Sequence, residues 1–438
     1  MPRLLADTTP LRVSPAYRRL WWGLGISNIG WQLTVVAVGL QVYDLTASTF
    51  AVGLLGICAL VPLVLLGLYG GALVDAFDRR KVALASAIAL WFVTAVLAAQ
   101  AWLDVGSVPL LYAIVAVQSA GYAINNPART AIIPRLVGRE LLPAANALQG
   151  LSGSLALTLG PLLGAFLVAT WGYAEAYTLD LALFTGALYA LWRLPDLPPI
   201  ETADDDGDES AARSAVRRRV GFGSVLEGLR YLGTRPNVRM TFVLDLAAMV
   251  LAMPRVLFPA VGVLIIGGGA GTTGTLTAAI AVGAVLASLF SGGLGRVRWQ
   301  GRAIVVAIAC FAVSVAGFGV VLVLAGAREP DTVVVPALVA AFVLLALAGA
   351  SDAVSAVFRQ TVLQAATPDH MRGRLQGVFI VVVAGGPRLG DLVLGAEATW
   401  LGEGWAAVVG GLSCLVVVAL LVAANRRFLS YDARDPQP

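Results

Sequence analysis

The stretch N-P-A-R-T-A-I-I-P-R-L-V-G-R, Asn126 to Arg139, has a second copy in the same chain: F-R-Q-T-V-L-Q-A-A-T-P-D-H-M-R-G-R, Phe358 to Arg374. Arg129 matches Arg359, Pro134 matches Pro368, and Gly138-Arg139 matches Gly373-Arg374, at an offset of about 230 residues. One copy follows the fourth long apolar run of the chain and the other follows the tenth. A weaker match joins Gly70–Lys81 to Gly292–Arg302. The chain therefore reads as a duplication, with six apolar runs in each copy.

Outward from these loops the sequence is almost all apolar. Of 438 residues, 58% are hydrophobic and 13% charged, and the mean hydropathy is +0.84. A soluble domain carries about 25% charged residues. Twelve segments are long enough for about 30 Å of hydrocarbon: 20–43, 50–74, 82–102, 109–133, 144–169, 174–193, 238–264, 274–295, 303–326, 333–360, 375–399 and 405–425. A backbone in lipid must satisfy its own hydrogen bonds, so the segments are expected to be helices. The predicted class is an all-α membrane protein of twelve transmembrane helices in two pseudo-symmetric six-helix bundles.

Loop charge sets the orientation. Alternate connections carry Arg79, Arg80 and Lys81; Arg135 and Arg139; Arg296, Arg298 and Arg302; Arg372 and Arg374. Both termini are also basic, whereas the opposite connections hold one basic residue, Arg328. The positive-inside rule then predicts a multi-pass protein of the cell (inner) membrane with both termini in the cytoplasm. The N-terminus is basic and enters a full-length span, so no cleavable signal peptide is expected. The predicted division is an N-terminal bundle over 1–193, a cytoplasmic linker over 194–237 and a C-terminal bundle with tail over 238–438. The linker holds the acidic run Asp204–Glu209 and the basic cluster Arg217-Arg218-Arg219. It reads as solvated chain, with an amphipathic turn near Val225–Leu232.

Several function classes are excluded. Cys58, Cys310 and Cys414 stand far apart in apolar runs, and His370 is the only histidine. Neither a metal site nor a Ser-His-Asp arrangement can be built from these. No G-x-x-x-x-G-K-[ST] loop is present, so neither ATP hydrolysis nor another enzyme activity is expected. The basic charge lies on one membrane side and does not mark a nucleic-acid surface. No cofactor and no metal are expected.

Charged residues inside spans are costly, roughly 2.5–3.5 kcal/mol each at the bilayer centre. They concentrate in spans seven, ten and eleven. Asp245 and Asp352 lie at similar depth, and Arg359 sits two turns from Asp352 near the boundary. Arg388 and Asp391 are spaced i,i+3 on one face. A desolvated carboxylate can carry a proton and a nearby arginine can control it. Asp245, Asp352 and Asp391 are therefore candidate proton-coupling groups. Arg255 and Arg388 are candidates for attracting an anionic substrate or for holding the carboxylates. The Arg388–Asp391 pair can equally serve packing alone. Asp180 and Glu397 lie towards the outer face, where burial costs less, and read as structural. In the first half, Asn28, Trp31 and Gln32 on span one and Gln118, Asn125 and Asn126 on span four are candidate substrate-binding groups. They can equally bond between helices.

The loop G-G-A-L-V-D-A-F-D-R-R-K, Gly70–Lys81, resembles the motif between spans two and three of the major facilitator superfamily, G-x-x-x-D-x-x-x-R-R-K. The match covers Gly71, Asp75, Arg79, Arg80 and Lys81. The second copy keeps Gly293, Arg296 and Arg302 without the Asp. In the family this Asp pairs with arginine and helix ends across the half-interface and stabilises the outward-facing state. G-P-L-L-G-A in span five, Gly160–Ala165, resembles the G-P-x-x-G-G antiporter motif of proton-driven exporters, with Ala165 in the last place. It reads equally as ordinary helix packing. The resemblance implies gating roles for Gly71, Asp75, Arg79, Arg80, Arg129, Gly160, Pro161, Gly164 and Arg359. For Arg129 and Arg359, near the boundary, a structural role is the competing reading.

Along nearly the whole chain the sequence resembles the enterobactin-exporter-like branch. The residues that carry this are Tyr43–Ser48, Leu136–Leu148, Met253–Ala260, Phe358–Pro368 and Arg372–Phe379. Where many members carry two acids in span eleven, this chain has Asp391 and then Val393. The resemblance implies a secondary transporter exporting a siderophore-like or amphipathic drug-like molecule by proton antiport and alternating access. Its expected partners are the small-molecule substrate, protons and the lipid bilayer, and it is expected to work as a monomer. Metabolite uptake and a non-transporting receptor or scaffold are the competing readings.

Overall fold

The computed structural model describes residues 7–195, 222–289, 297–367, 369–434 and 437. The linker stretch 196–221 lies outside them, as do Gly293 and Arg296 of the second loop copy. The described residues are mostly helical and contain no strand; Trp299 and Asp432 form an isolated bridge.

The first helices are α1 (Thr9–Val13), α2 (Pro15–Thr46), α3 (Thr49–Ala76), α4 (Arg79–Trp102), α5 (Val108–Thr170) and α6 (Tyr173–Trp192). Gly71 and Asp75 fall on the last two turns of α3. The contacts of the Asp75 side chain lie outside what is described. Asp78 begins α4, accepting hydrogen bonds from the backbone N–H of Arg80 at 2.8 Å and of Lys81 at 3.2 Å. A carboxylate at this position satisfies N–H groups that have no intrahelical partner. α5 is two helices merged across Gly138, whose φ of 73° and ψ of 169° are not helical. That φ is open to glycine and strained for other residues, so Gly138 is where the two helices meet; its counterpart Gly373 lies inside the helix that begins at Asp369.

After α7 (Phe222–Thr234) come α8 (Pro236–Ala252), α9 (Gly269–Leu289), α10 (Gln300–Ala325), α11 (Val335–Ala365), α12 (Asp369–Leu401) and α13 (Glu403–Ala424). α8 stops at Met253, ahead of Pro254, which has no N–H to continue the ladder. The chain goes on as a 3-10 turn over Pro254–Leu257, a short α turn over Phe258–Ala260 and a wide π turn over Val261–Ile265. Turns of this kind are frequent at functional sites.

By length and apolarity, ten helical stretches among the described residues can cross a membrane. α6 and α12 fall outside the ten. Glu175, Asp180 and three tyrosines lower the hydropathy of α6, and Arg388, Asp391 and Glu397 do so in α12. Their polar content is also what makes them candidates for function.

The chain forms two compact units. The first joins Met1–Val38 with Cys58–Gly223. Its core is made by Leu20 and Leu24 of α2, Ala83, Ala87 and Leu90 of α4, Ala128 and Ile132 of α5, and Phe184 and Leu191 of α6. The Tyr17 hydroxyl donates to the Ala145 carbonyl at 3.0 Å, and Trp21 Nε1 to the Leu148 carbonyl at 3.0 Å.

The second unit joins Gly39–Ile57 with Ser224–Pro438. The end of α2 and the start of α3 thus pack with the later helices. Glycine makes the approach possible: a Cβ on Gly53 would sit 2.5 Å from the Asp391 carbonyl oxygen, and one on Gly56 would sit 2.6 Å from that of Arg388. Thr49 Oγ1 donates to Glu403 Oε1 at 2.9 Å.

The C-terminal tail folds back on the start of α10. Phe428 is fully buried, the Ala433 N–H donates to the Arg298 carbonyl at 3.0 Å, and Arg298 Nη2 pairs with Asp432 at 2.7 Å. The first loop copy caps its following helix with its own Asp78. In the second copy, a tail carboxylate from beyond the last helix meets the loop arginine.

Candidate functional site

Two polar sites stand out, one in each unit. In the first, a cavity of about 30 Å³ is lined by Ser27, Asn28 and Trp31 of α2, Leu90 and Thr94 of α4, Tyr122, Asn125 and Arg129 of α5, and Asp180 and Phe184 of α6. Trp31 and Tyr122 stack with ring centroids 5.7 Å apart. Three of the predicted substrate-binding residues, Asn28, Trp31 and Asn125, therefore line one cavity.

Gln32, Gln118 and Asn126 lie elsewhere, and Asn125 also braces two helices. Gln32 is drawn against α5, where a Cβ on Gly160 would come 2.5 Å from its own Cβ. Gln118 is buried and its Nε2 reaches Thr94 Oγ1 at 3.5 Å. Asn125 Nδ2 donates to the Ala83 carbonyl at 2.9 Å and to Ser86 Oγ at 2.8 Å, tying α5 to α4. Asn126 is exposed.

The groups expected to gate are seated at backbone contacts. Arg79 Nη1 donates to the Ala131 carbonyl at 3.2 Å, and Arg80 Nη2 to the Trp192 carbonyl at 2.6 Å. A Cβ on Gly164 would lie 2.8 Å from the Leu33 carbonyl oxygen, and Pro161 is buried beside it. The Gly-Pro motif is thus the face on which α5 packs against α2. The Arg129 guanidinium lies 6.0 Å from the Phe184 ring centroid.

In the second unit, Arg359 forms ion pairs with Asp245 of α8 and with Asp352 of its own helix α11, the latter at 3.2 Å. The side chains of Arg359 and Asp245 are 5% and 4% exposed, that of Asp352 40%. Two carboxylates share one guanidinium, in a slot that is dry at Asp245 and open at Asp352. A proton on either acid would leave Arg359 to the other. Arg255 projects from the broken segment after α8, exposed and within electrostatic reach of Asp352 and Asp391. On α12, Arg388 Nη1 donates to the Ala384 carbonyl at 2.6 Å, while Asp391 Oδ1 is buried without a hydrogen-bond partner.

Two features escape a reading of the sequence. Asp352 and Arg359 are seven residues apart, two turns on one face, which signals their pairing. The Asp245–Arg359 pair spans 114 residues and has no local signal. Asp180 reads as a cheap outward group, yet it is 3% exposed and bonded to Thr34 at 2.6 Å.

Comparison with known proteins bears on what such sites do. Residues 6–438 match the pattern of a family described as transmembrane secretion effector. The chain is 28% identical over 438 residues to the enterobactin exporter EntS of Citrobacter koseri, covering 99% of this chain and 97% of that protein. It is 29% identical over 437 residues to the enterobactin exporter EntS of Shigella boydii, with the same coverage. Among solved structures, the nucleoside transporter NupG matches with a TM-score of 0.71 at 11% identity, over 93% of this chain and 98% of that one. A POT family transporter bound to 5-aminolevulinic acid matches with a TM-score of 0.68 at 12% identity, over 95% and 97%. At these identities the structural likeness shows the fold alone: that of a major facilitator transporter.

Proposed function

From the premise that the chain belongs to the transmembrane secretion effector family, and so is a membrane transporter, we propose that it exports a small molecule by proton antiport with alternating access. The substrate class is a siderophore-like or amphipathic drug-like compound, as the relatives named enterobactin exporter suggest. The observation that carries coupling is the Asp245–Arg359–Asp352 cluster. One guanidinium shared between two acids holds each only in part, and a proton on one acid frees Arg359 for the other. A ligand or a helix movement that draws Arg359 from one acid changes which acid can release the proton. Asp391, in reach of Arg255 and Arg388, is the third coupling group. Arg255 and Arg388 supply positive charge to an anionic substrate group, while Asn28, Trp31 and Asn125 supply an aromatic and amide wall.

The reading includes the loop-charge topology, with both termini in the cytoplasm, and two six-helix halves, 1–193 and 238–438, joined by a linker and acting as a monomer. Arg79, Arg80, Arg129 and the Gly160–Gly164 face would then turn with the bundles as hinges and clasps.

The test uses purified protein in liposomes with an imposed pH gradient, a catecholate siderophore and a panel of amphipathic dyes. Gradient-driven movement of a compound is expected for the natural protein and is expected to vanish in Asp352→Asn and Asp245→Asn, with insertion intact. Undiminished gradient-driven movement in both variants removes the coupling assignment. In whole cells, deletion of the protein is expected to raise retention of the compound; a fall would instead indicate uptake.

A further inference from the structure

One buried carboxylate has no place in that scheme. Asp180 of α6 is 3% exposed. Its Oδ2 contacts the Thr34 hydroxyl at 2.6 Å. On its other side is the bare Cα of Gly30, where a Cβ would strike Asp180 Oδ1. The sequence thus leaves room on α2 for this acid and supplies one hydroxyl partner. Among the described residues no ion pair reaches Asp180.

Arg129 lines the same cavity. Its Nε is buried with no hydrogen-bond partner. A buried acid and a buried base therefore face one space without being joined. At about 30 Å³ that space has room for one or two waters, each needing roughly 10–15 Å³ of such volume. Ser27, Asn28 and Tyr122 offer such waters polar partners.

The Thr34 contact serves both states of the acid. A threonine hydroxyl donates to a carboxylate and accepts from a carboxylic acid, so the bond reverses direction without movement. Among the described residues, the groups around Asp180 that can carry charge are Arg129 and Tyr122 on α5 and Tyr177 one turn earlier on α6. The cavity-lining residues of α2 and α4 carry none. Arg129 is therefore the charge that can answer a change at Asp180.

We propose that Asp180 is a proton-carrying group of the first unit, gated by Arg129 through water in the cavity they share. A proton from cavity water bonds to an Asp180 oxygen. It leaves from that oxygen to water when the Arg129 charge turns towards the acid. Only O–H bonds form and break. The proposal rests on the antiport reading for its role in transport, but the binding of the proton can be tested without it.

The test is infrared difference spectroscopy of the purified full chain across a pH titration, beside liposome transport. Asp180→Asn is expected to lose a protonated-carboxyl band that Asp245→Asn and Asp352→Asn retain. Arg129→Met is expected to move the titration midpoint of that band by one pH unit or more. Thr34→Val keeps the acid and removes a hydrogen bond, and is expected to move it by about one unit. In liposomes, Asp180→Asn is expected to lose tenfold or more of gradient-driven movement. A carboxyl spectrum unchanged by Asp180→Asn overturns the proposal. If Asp180→Asn fails to fold, a midpoint unmoved in both Thr34→Val and Arg129→Met overturns it. A natural protein with the Asp180 band but without gradient-driven transport would sink the antiport reading and leave the proton site standing.

Discussion

Replacing Arg359 by methionine keeps much of the apolar stem and removes the guanidinium. Asp245, 4% exposed, then has no cation, because its ion pair is with Arg359. Asp352 also loses its partner, but at 40% exposure it can be solvated. Removing one partner of a buried pair costs about 3–5 kcal/mol. Most of that loss should arise at Asp245. By comparison, Asp352→Asn keeps an oxygen acceptor opposite Arg359 and sits on the open side, so its cost should be about 1 kcal/mol or less. The decisive variant is the double Arg359→Met with Asp245→Asn. It leaves no buried ion in this cluster and should recover about 2 kcal/mol or more of the single-variant loss. The assay is equilibrium chemical unfolding of purified protein in detergent, followed by tryptophan fluorescence. If Arg359→Met is no less stable than Asp352→Asn, or if the double variant is no more stable than Arg359→Met, the cluster is not a dry ion pair and the reasoning fails.

Three further outcomes follow from the geometry. The Asp432 carboxyl is held below its usual range by the Arg298 hydrogen bond and then by the Arg434 N–H. Its contribution to tail docking is present above the unfolded value, about 3.9, and is lost as pH falls through the lower folded one. Limited proteolysis of the tail should therefore quicken at acid pH in the natural protein and be fast at neutral pH in Asp432→Asn. Protection unchanged by that substitution would remove the link. Gly164→Val drives a side chain against the Leu33 carbonyl oxygen, which lies only 2.8 Å from where the new Cβ would stand. Overpacking of this kind costs about 1–3 kcal/mol. Thermal unfolding in detergent should register it, while Gly150→Val, which has open space, stays near the natural value. Gly138→Ala, at φ 73°, should cost roughly 1–2 kcal/mol, read by the same unfolding scan.

Much of the architecture is local and was therefore legible. Lipid forbids unpaired backbone groups, so apolar runs of sufficient length can only be helices in this context. The charges of Arg79–Lys81 or Arg372–Arg374 mark helix ends for the same reason, since a cation stays out of hydrocarbon. Gly138 belongs to a repeated motif, but the positive φ is found at this copy, whereas Gly373 lies inside α12. Other expectations needed three dimensions. Gln118 and Asn125, expected to face a substrate or another helix, bond to α4 side chains and backbone. The helices α6 and α12 are less apolar than the rest, and only packing shows where their charges are housed.

What the sequence determined by itself is the membrane class, the helical segments, the internal repeat and the family, because each is set by composition or by residues close together in the chain. The tertiary structure decided which charges meet. Arg359 reaches Asp245 from 114 residues away, Asp180 reaches Thr34 from 146 away, and Asp432 reaches Arg298 from 134 away. Such pairs depend on which helix faces pack together. A hydropathy pattern shows how deep a residue sits in a span, but the direction it faces is fixed by the neighbouring helices.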